Sequence, residues 1–169
     1  THLIDSWFGW GNPPEKSLDR AKEWIQNGLK INDSDDYGHA NLGHLYLLNG
    51  FHDKAISAGE LSVSLNPNGE YNMALLAMTL CYASRCDEAI SLYHKAIRLN
   101  PFPPLWYLHG MGLAYRTVGK YEKAVKWYKK ALHRNPNYFP AHLHLAATYA
   151  MMGKIGEAKA STAEVLKLN

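Results

Sequence analysis

Three Asn-Pro steps, at Asn66-Pro67, Asn100-Pro101 and Asn135-Pro136, stand 34 and 35 residues apart. A degenerate fourth, Asn32-Asp33, lies one period before the first. Proline lacks an amide hydrogen and clashes with the preceding helical turn, so each step must end a helix. Punctuation at a fixed spacing leaves one broad class of fold: a short helical unit repeated along the chain.

Smaller landmarks recur inside the period. Leu42-Gly43 precedes Tyr46, Met111-Gly112 precedes Tyr115, and Leu145-Ala146 precedes Tyr149, while Leu76-Ala77 with Leu80 keeps the spacing in the remaining copy. Twelve residues after each small residue comes an alanine: Ala55, Ala89, Ala124 and Ala158. Gly50, Gly119 and Gly153 divide each period, and Ser84 takes that place once. Glycine there permits the left-handed conformation that ends one helix and opens the turn to the next. The pattern describes a helical hairpin whose small residues mark the closest approach and whose larger ones fill the neighbouring holes. A single hairpin cannot bury its apolar face, so neighbours must stack.

These words and spacings resemble the tetratricopeptide (TPR) family over nearly the whole chain. The resemblance implies an all-α fold, a right-handed α–α superhelix (solenoid) of stacked TPR helical hairpins. The expected helices are 15–31, 36–49, 52–65, 70–83, 86–99, 103–117, 120–133, 138–151 and 154–168. Thr1 to Trp10 reads as the remnant of a further first helix, and the chain as a piece of something longer. The whole of 1–169 is taken as a single domain: a partial repeat at 1–33, full repeats at 34–67, 68–101 and 102–136, and a last repeat at 137–169. Gly59 stands where Tyr93 and Tyr128 supply bulk elsewhere, which marks a loose or closely approached helix.

In such an architecture the first helices line the inner face. Registering the copies places Tyr37, His44, Tyr71, Met78, Trp106, His109, Leu113, Arg116 and Leu143 there, as a groove for a protein or peptide. It is aromatic and apolar, the kind of patch that marks an interaction surface. Some relatives grip a C-terminal carboxylate with lysines and asparagines on these helices; here the corresponding positions hold Ala40, His44, Ala74 and Met78, only Asn41 has a suitable type, and no such clamp is expected. An apolar extended segment or helix fits better.

Composition removes other classes. No apolar run reaches the roughly 20 residues a membrane span requires, and there is no phosphate loop, nucleophile elbow or paired carboxylate to suggest an enzyme. No catalytic residue, cofactor or metal site is expected. The nine histidines lack metal-ligand spacing, and His142 and His144, two apart, point to different helix faces. The two cysteines, Cys81 and Cys86, read as free thiols in a reducing, cytoplasmic setting. Residues 1–85 carry 6 basic and 10 acidic groups, residues 86–169 carry 12 and 5. Lys123, Lys126 and Lys130 form a basic stripe that is read as a solvated face, so nucleic acid is not expected as a partner.

A closer likeness lies in Arg98-Leu99-Asn100-Pro101-Phe102-Pro103-Pro104, Trp106-Tyr107 and Gly112-Leu113-Ala114-Tyr115-Arg116. With Trp7-Phe8-Gly9-Trp10, Pro140-Ala141-His142-Leu143 and Ala163-Glu164-Val165-Leu166, these resemble the C-terminal repeats of bacterial class III adenylate/guanylate cyclases. That resemblance implies a bacterial signalling protein in which this segment is a non-catalytic regulatory module. The leading expectation is a protein-binding scaffold. The alternatives are self-association, with a second copy or the remainder of the same chain as partner, and more remotely a substrate-contacting domain of a cyclase or glycosyltransferase.

Overall fold

The computed structural model describes residues 14–168, with side chains from Leu18 onward. The expected helix remnant at Thr1 to Trp10 lies outside the described residues. All regular structure among the described residues is helical: α1 Pro14–Ile31, α2 Asp36–Leu48, α3 His52–Leu65, α4 Glu70–Tyr82, α5 Cys86–Leu99, α6 Leu105–Thr117, α7 Tyr121–Arg134, α8 Phe139–Met151 and α9 Ile155–Lys167. None of these helices is long and apolar enough to cross a membrane.

The sequence markers act as expected. Gly50, Gly119 and Gly153 adopt φ of 75°, 74° and 72°, and Ser84 takes the same left-handed conformation at 65°. The clearest boundary shift is at α6, which starts at Leu105 and not at Pro103. A residue before proline is pushed out of helical geometry, so Pro103 stays outside and Pro104 takes the capping position at φ −51°, ψ 149°.

The chain forms two compact units, Thr1–Ala83 and Ser84–Asn169. In the first, α2 and α3 form a hairpin and α4 packs against both. Gly43 lies so near α3 that an added Cβ would stand 2.9 Å from the Ala55 carbonyl oxygen. Gly59 marks close approach and not looseness: a Cβ there would meet Leu76 of α4 at 2.9 Å. Asp36, read from sequence as first-turn charge, is a hub. Its Oδ2 accepts from Asn66 Nδ2 at 2.9 Å and Asn72 Nδ2 at 2.7 Å, and its carbonyl accepts from Ser62 Oγ at 2.7 Å. Both amide donors hold the Asp36 carboxyl below its ordinary pKa.

The second unit contains the hairpins α6–α7 and α8–α9, with α5 packed on α6 and α7 on α8. Tyr93, Tyr107 and Tyr128 are fully buried. Tyr93 sits on Gly110 and Tyr128 on Gly112, so α6 offers two bare backbone patches to large rings from its neighbours. Of the alanines that recur 12 residues on, Ala55, Ala89 and Ala124 are completely covered where helices meet, while Ala158 is half-buried.

Candidate partner-binding faces

In the first unit α2 and α4 hold Tyr37 and Tyr71 parallel, their rings stacked at 4.4 Å and 8°. The Tyr71 hydroxyl donates to Asn41 Oδ1 at 3.0 Å, and Asn41 Nδ2 donates to the Tyr37 carbonyl at 2.7 Å. The amide thus ties the Tyr71 ring to α2, which carries Tyr37. Tyr37 remains 53% exposed, so the stack presents an aromatic face outward. Burial, with a smaller contribution from Tyr37, pushes the Tyr71 phenol up to about 12. His44 and Met78 lie inside, each 7% exposed, and offer a partner little surface. Burial lowers the His44 pKa to about 4.

In the second unit, α6 carries Trp106, His109, Leu113 and Arg116 at spacings of three and four, which is one helix face. All four are half-buried. Trp106 stands edge-on to Tyr107 at 4.3 Å. His109 meets residues that the sequence reading did not assign to the face. The His144 ring of α8 lies 4.7 Å away at 71°, Tyr128 of α7 at 5.9 Å and Tyr138 at 6.1 Å. Burial dominates the depression of both histidines, His109 to about 3 and His144 to about 4, and the Arg116 charge adds to each. Burial also raises the Tyr138 phenol to about 12. Spacing along its own helix carries no signal for His144, since His142 points to another face; its neighbour in space is 35 residues away in sequence.

Leu143 is exposed and lies at a different place, in an open trough between α8 and α9 of about 520 Å³. Ala147, Ala150, Ile155, Ala163 and Leu166 complete most of its apolar lining. Among the described residues no group of three His, Cys, Asp or Glu side chains is placed to hold a metal ion. The basic stripe and the basic residues at either end of α7 are partly engaged within their own unit. Lys120 pairs with Asp87 at 3.7 Å, Lys123 and Lys130 lie over the rings of Tyr115 and Trp127, and Arg134 donates to the Pro103 carbonyl. One expectation is corrected: Cys81 and Cys86 are both disulfide-bonded, so neither is a free thiol.

Residues 112–153, which run from Gly112 in α6 through the α8 helix, match the family model described as TPR repeat. That segment is similar to a TPR repeat. Human protein O-mannosyl-transferase TMTC2 is 32% identical over 85 residues, covering 49% of this chain and 10% of that protein. The peroxisomal targeting signal receptor of Candida glabrata is 30% identical over 104 residues, 61% of this chain and 17% of the receptor. The chain therefore spans less than a fifth of these relatives' length. Among solved structures, the type IV pilus biogenesis factor PilW superposes with a TM-score of 0.84 at 19% identity, over 99% of this chain and 76% of PilW. MamA superposes with a TM-score of 0.73 at 22% identity, over 91% of this chain and 90% of MamA. The fold is that of the TPR helical-hairpin proteins.

Proposed function

We propose that this chain is a non-catalytic protein-interaction scaffold that binds a peptide or protein segment along the inner faces of its first helices. The observation that carries this reading is the Tyr37–Tyr71 stack, an aromatic surface left exposed on Tyr37 and anchored through the Tyr71 hydroxyl to Asn41. Rigid aromatic side chains lose little conformational entropy on binding and supply large contact area. In the second unit, Trp106, His109, Leu113 and Arg116 would have a role of the same kind. Tyr37, Tyr71 and Trp106 are the residues to test. Their single alanine variants should each lose bound partner in a pull-down while keeping the wild-type helical signal. Retention of every partner by all three would place binding elsewhere.

A second reading, self-association, draws on the trough between α8 and α9. In the first unit the corresponding surface of α2 and α3 is covered by α4, so a bare copy of it favours a further helix as occupant. Leu143→Asp with Leu166→Asp should abolish any concentration-dependent mass increase in light scattering. A strict monomer at all concentrations removes this reading.

The reading as one domain with repeats at 34–67, 68–101, 102–136 and 137–169 fits the recurrence of the turns. A regulatory role beside a bacterial signalling cyclase rests on the sequence words alone. The cytoplasmic assignment has lost its thiol argument, because disulfides persist mainly in oxidising compartments.

A further inference from the structure

The second unit contains a polar cluster that an apolar groove does not require. His109 Nε2 and His144 Nδ1 are buried and have no hydrogen-bond partner among the described residues. Both rings are half-buried, and the other nitrogen of each faces outward. A neutral imidazole has one N–H and one bare lone pair. A buried N–H left without an acceptor is the rarer and costlier state, whereas an under-used acceptor is better tolerated. The proton therefore belongs on the outward nitrogen of each ring, Nδ1 of His109 and Nε2 of His144. The two rings, 4.7 Å apart at 71°, then bring two N–H donors into one cluster.

Arg116 stands on the face of α6 that carries His109, seven residues and two helical turns along. It makes no ion pair among the described residues. The groups facing the two histidines are Tyr128 from α7, Tyr138 ahead of α8 and Arg116 itself. None is an acid. The cluster thus offers donors and a positive charge without an anionic partner. Residues 86–169, with 12 basic and 5 acidic groups, add to the same field.

We propose that His109, His144 and Arg116 form a subsite for a carboxylate, that of an acidic side chain in the segment bound along α6 and α8. Charge-assisted hydrogen bonds from guanidinium and imidazole N–H groups are the strong kind, and a carboxylate oxygen accepts more than one. The subsite deepens the scaffold reading and rests on it for the source of the carboxylate. It is unrelated to a lysine-and-asparagine clamp, whose positions in the first unit hold Ala40, His44, Ala74 and Met78.

The test uses the whole chain, labelled with nitrogen-15, and two small probes, N-acetylglutamate amide and N-acetylglutamine amide. Imidazole nitrogen shifts should report Nδ1–H at His109 and Nε2–H at His144. Both signals should move with the glutamate probe and stay still with the glutamine probe. Arg116→Gln should weaken that response on the order of tenfold, the usual loss for one charge-assisted contact. Opposite tautomers, equal responses to both probes, or an unchanged response in Arg116→Gln would each overturn the subsite. Short apolar peptides made with one glutamate or one glutamine separate the two levels. Equal binding of both peptides would remove the subsite and leave the scaffold. Absence of peptide binding, with the imidazoles still responding to the glutamate probe, would remove the scaffold and leave the subsite.

Discussion

The ring of Tyr128 lies against the bare Cα of Gly112, where an added Cβ would stand 2.5 Å from Cε1 and 2.7 Å from Cδ1. Tyr128 is fully buried and cannot retreat. Its ring also backs His109 and His144 at 5.9 Å each. One contact therefore joins the α6–α7 hairpin to the polar cluster.

Gly112→Ala is expected to destabilise the protein despite alanine's helix preference. Overpacking costs about 1–3 kcal/mol, against a propensity gain of up to about 1 kcal/mol. Urea unfolding followed by circular dichroism should show a lower midpoint. An unchanged or higher midpoint would mean that Tyr128 can shift.

Ser84 holds φ 65°, the conformation that glycine occupies at the equivalent turns. A left-handed L-residue costs roughly 1–2 kcal/mol, part of which returns as unfolded-chain entropy when glycine replaces it. Ser84→Gly should raise the thermal midpoint slightly. Gly153→Ala, at φ 72° with open space around it, should lower it through backbone strain alone.

Asp36 Oδ2 binds two amide groups from residues 30 and 36 positions away. Asn72 is 1% exposed, so Asn72→Ala removes one donor and opens a small void. A loss of about 1–3 kcal/mol follows from leaving such a group unsatisfied, measurable by denaturant titration. Asn66→Ala should cost less, since its side chain is only partly covered.

Acid should weaken the fold before its carboxylates protonate. His44 and His144 are held to about 4 and His109 to about 3, by burial first. An unfolded histidine titrates near 6.5, so between that value and the folded ones the unfolded chain binds more protons. This stabilisation is complete above about pH 6.5 and disappears as pH falls through about 4. The expected loss from pH 7 to 4.5 is on the order of a few kcal/mol. His44→Leu should flatten the slope of stability against pH. A variant with the wild-type slope would show that His44 is not buried in neutral form.

Both cysteines are disulfide-bonded, so iodoacetamide without reductant should leave Cys81 and Cys86 unmodified in intact-mass measurement. Addition of reductant before labelling should expose both.

Much of the architecture was legible because helix ends are local events. Pro67, Pro101 and Pro136 stop helices through their own ring and missing amide. The left-handed turns follow from Gly50, Gly119 and Gly153, and even Ser84 was found by its place in the period. Tyr37 and Tyr71 could be placed on one type of face by register, although not as a stack. The role of Asp36 was not legible, because an acid in the first turn satisfies the local rule for helix starts whether or not distant amides reach it. The cysteines were misread for a related reason: their sequence spacing does not state their oxidation.

The sequence by itself determined the unit, its period and its turns, since each depends on backbone conformations that single residues restrict. Tertiary structure decided which rings meet across helices. Tyr128 reached Gly112, and His109 found His144 and not a neighbour on its own helix. Such meetings depend on the depth and angle at which two helices pack, and those are set by all the side chains between them. The 34- and 35-residue rhythm fixed where helices stop, while packing alone placed two neutral histidines and an unpaired arginine within one unit.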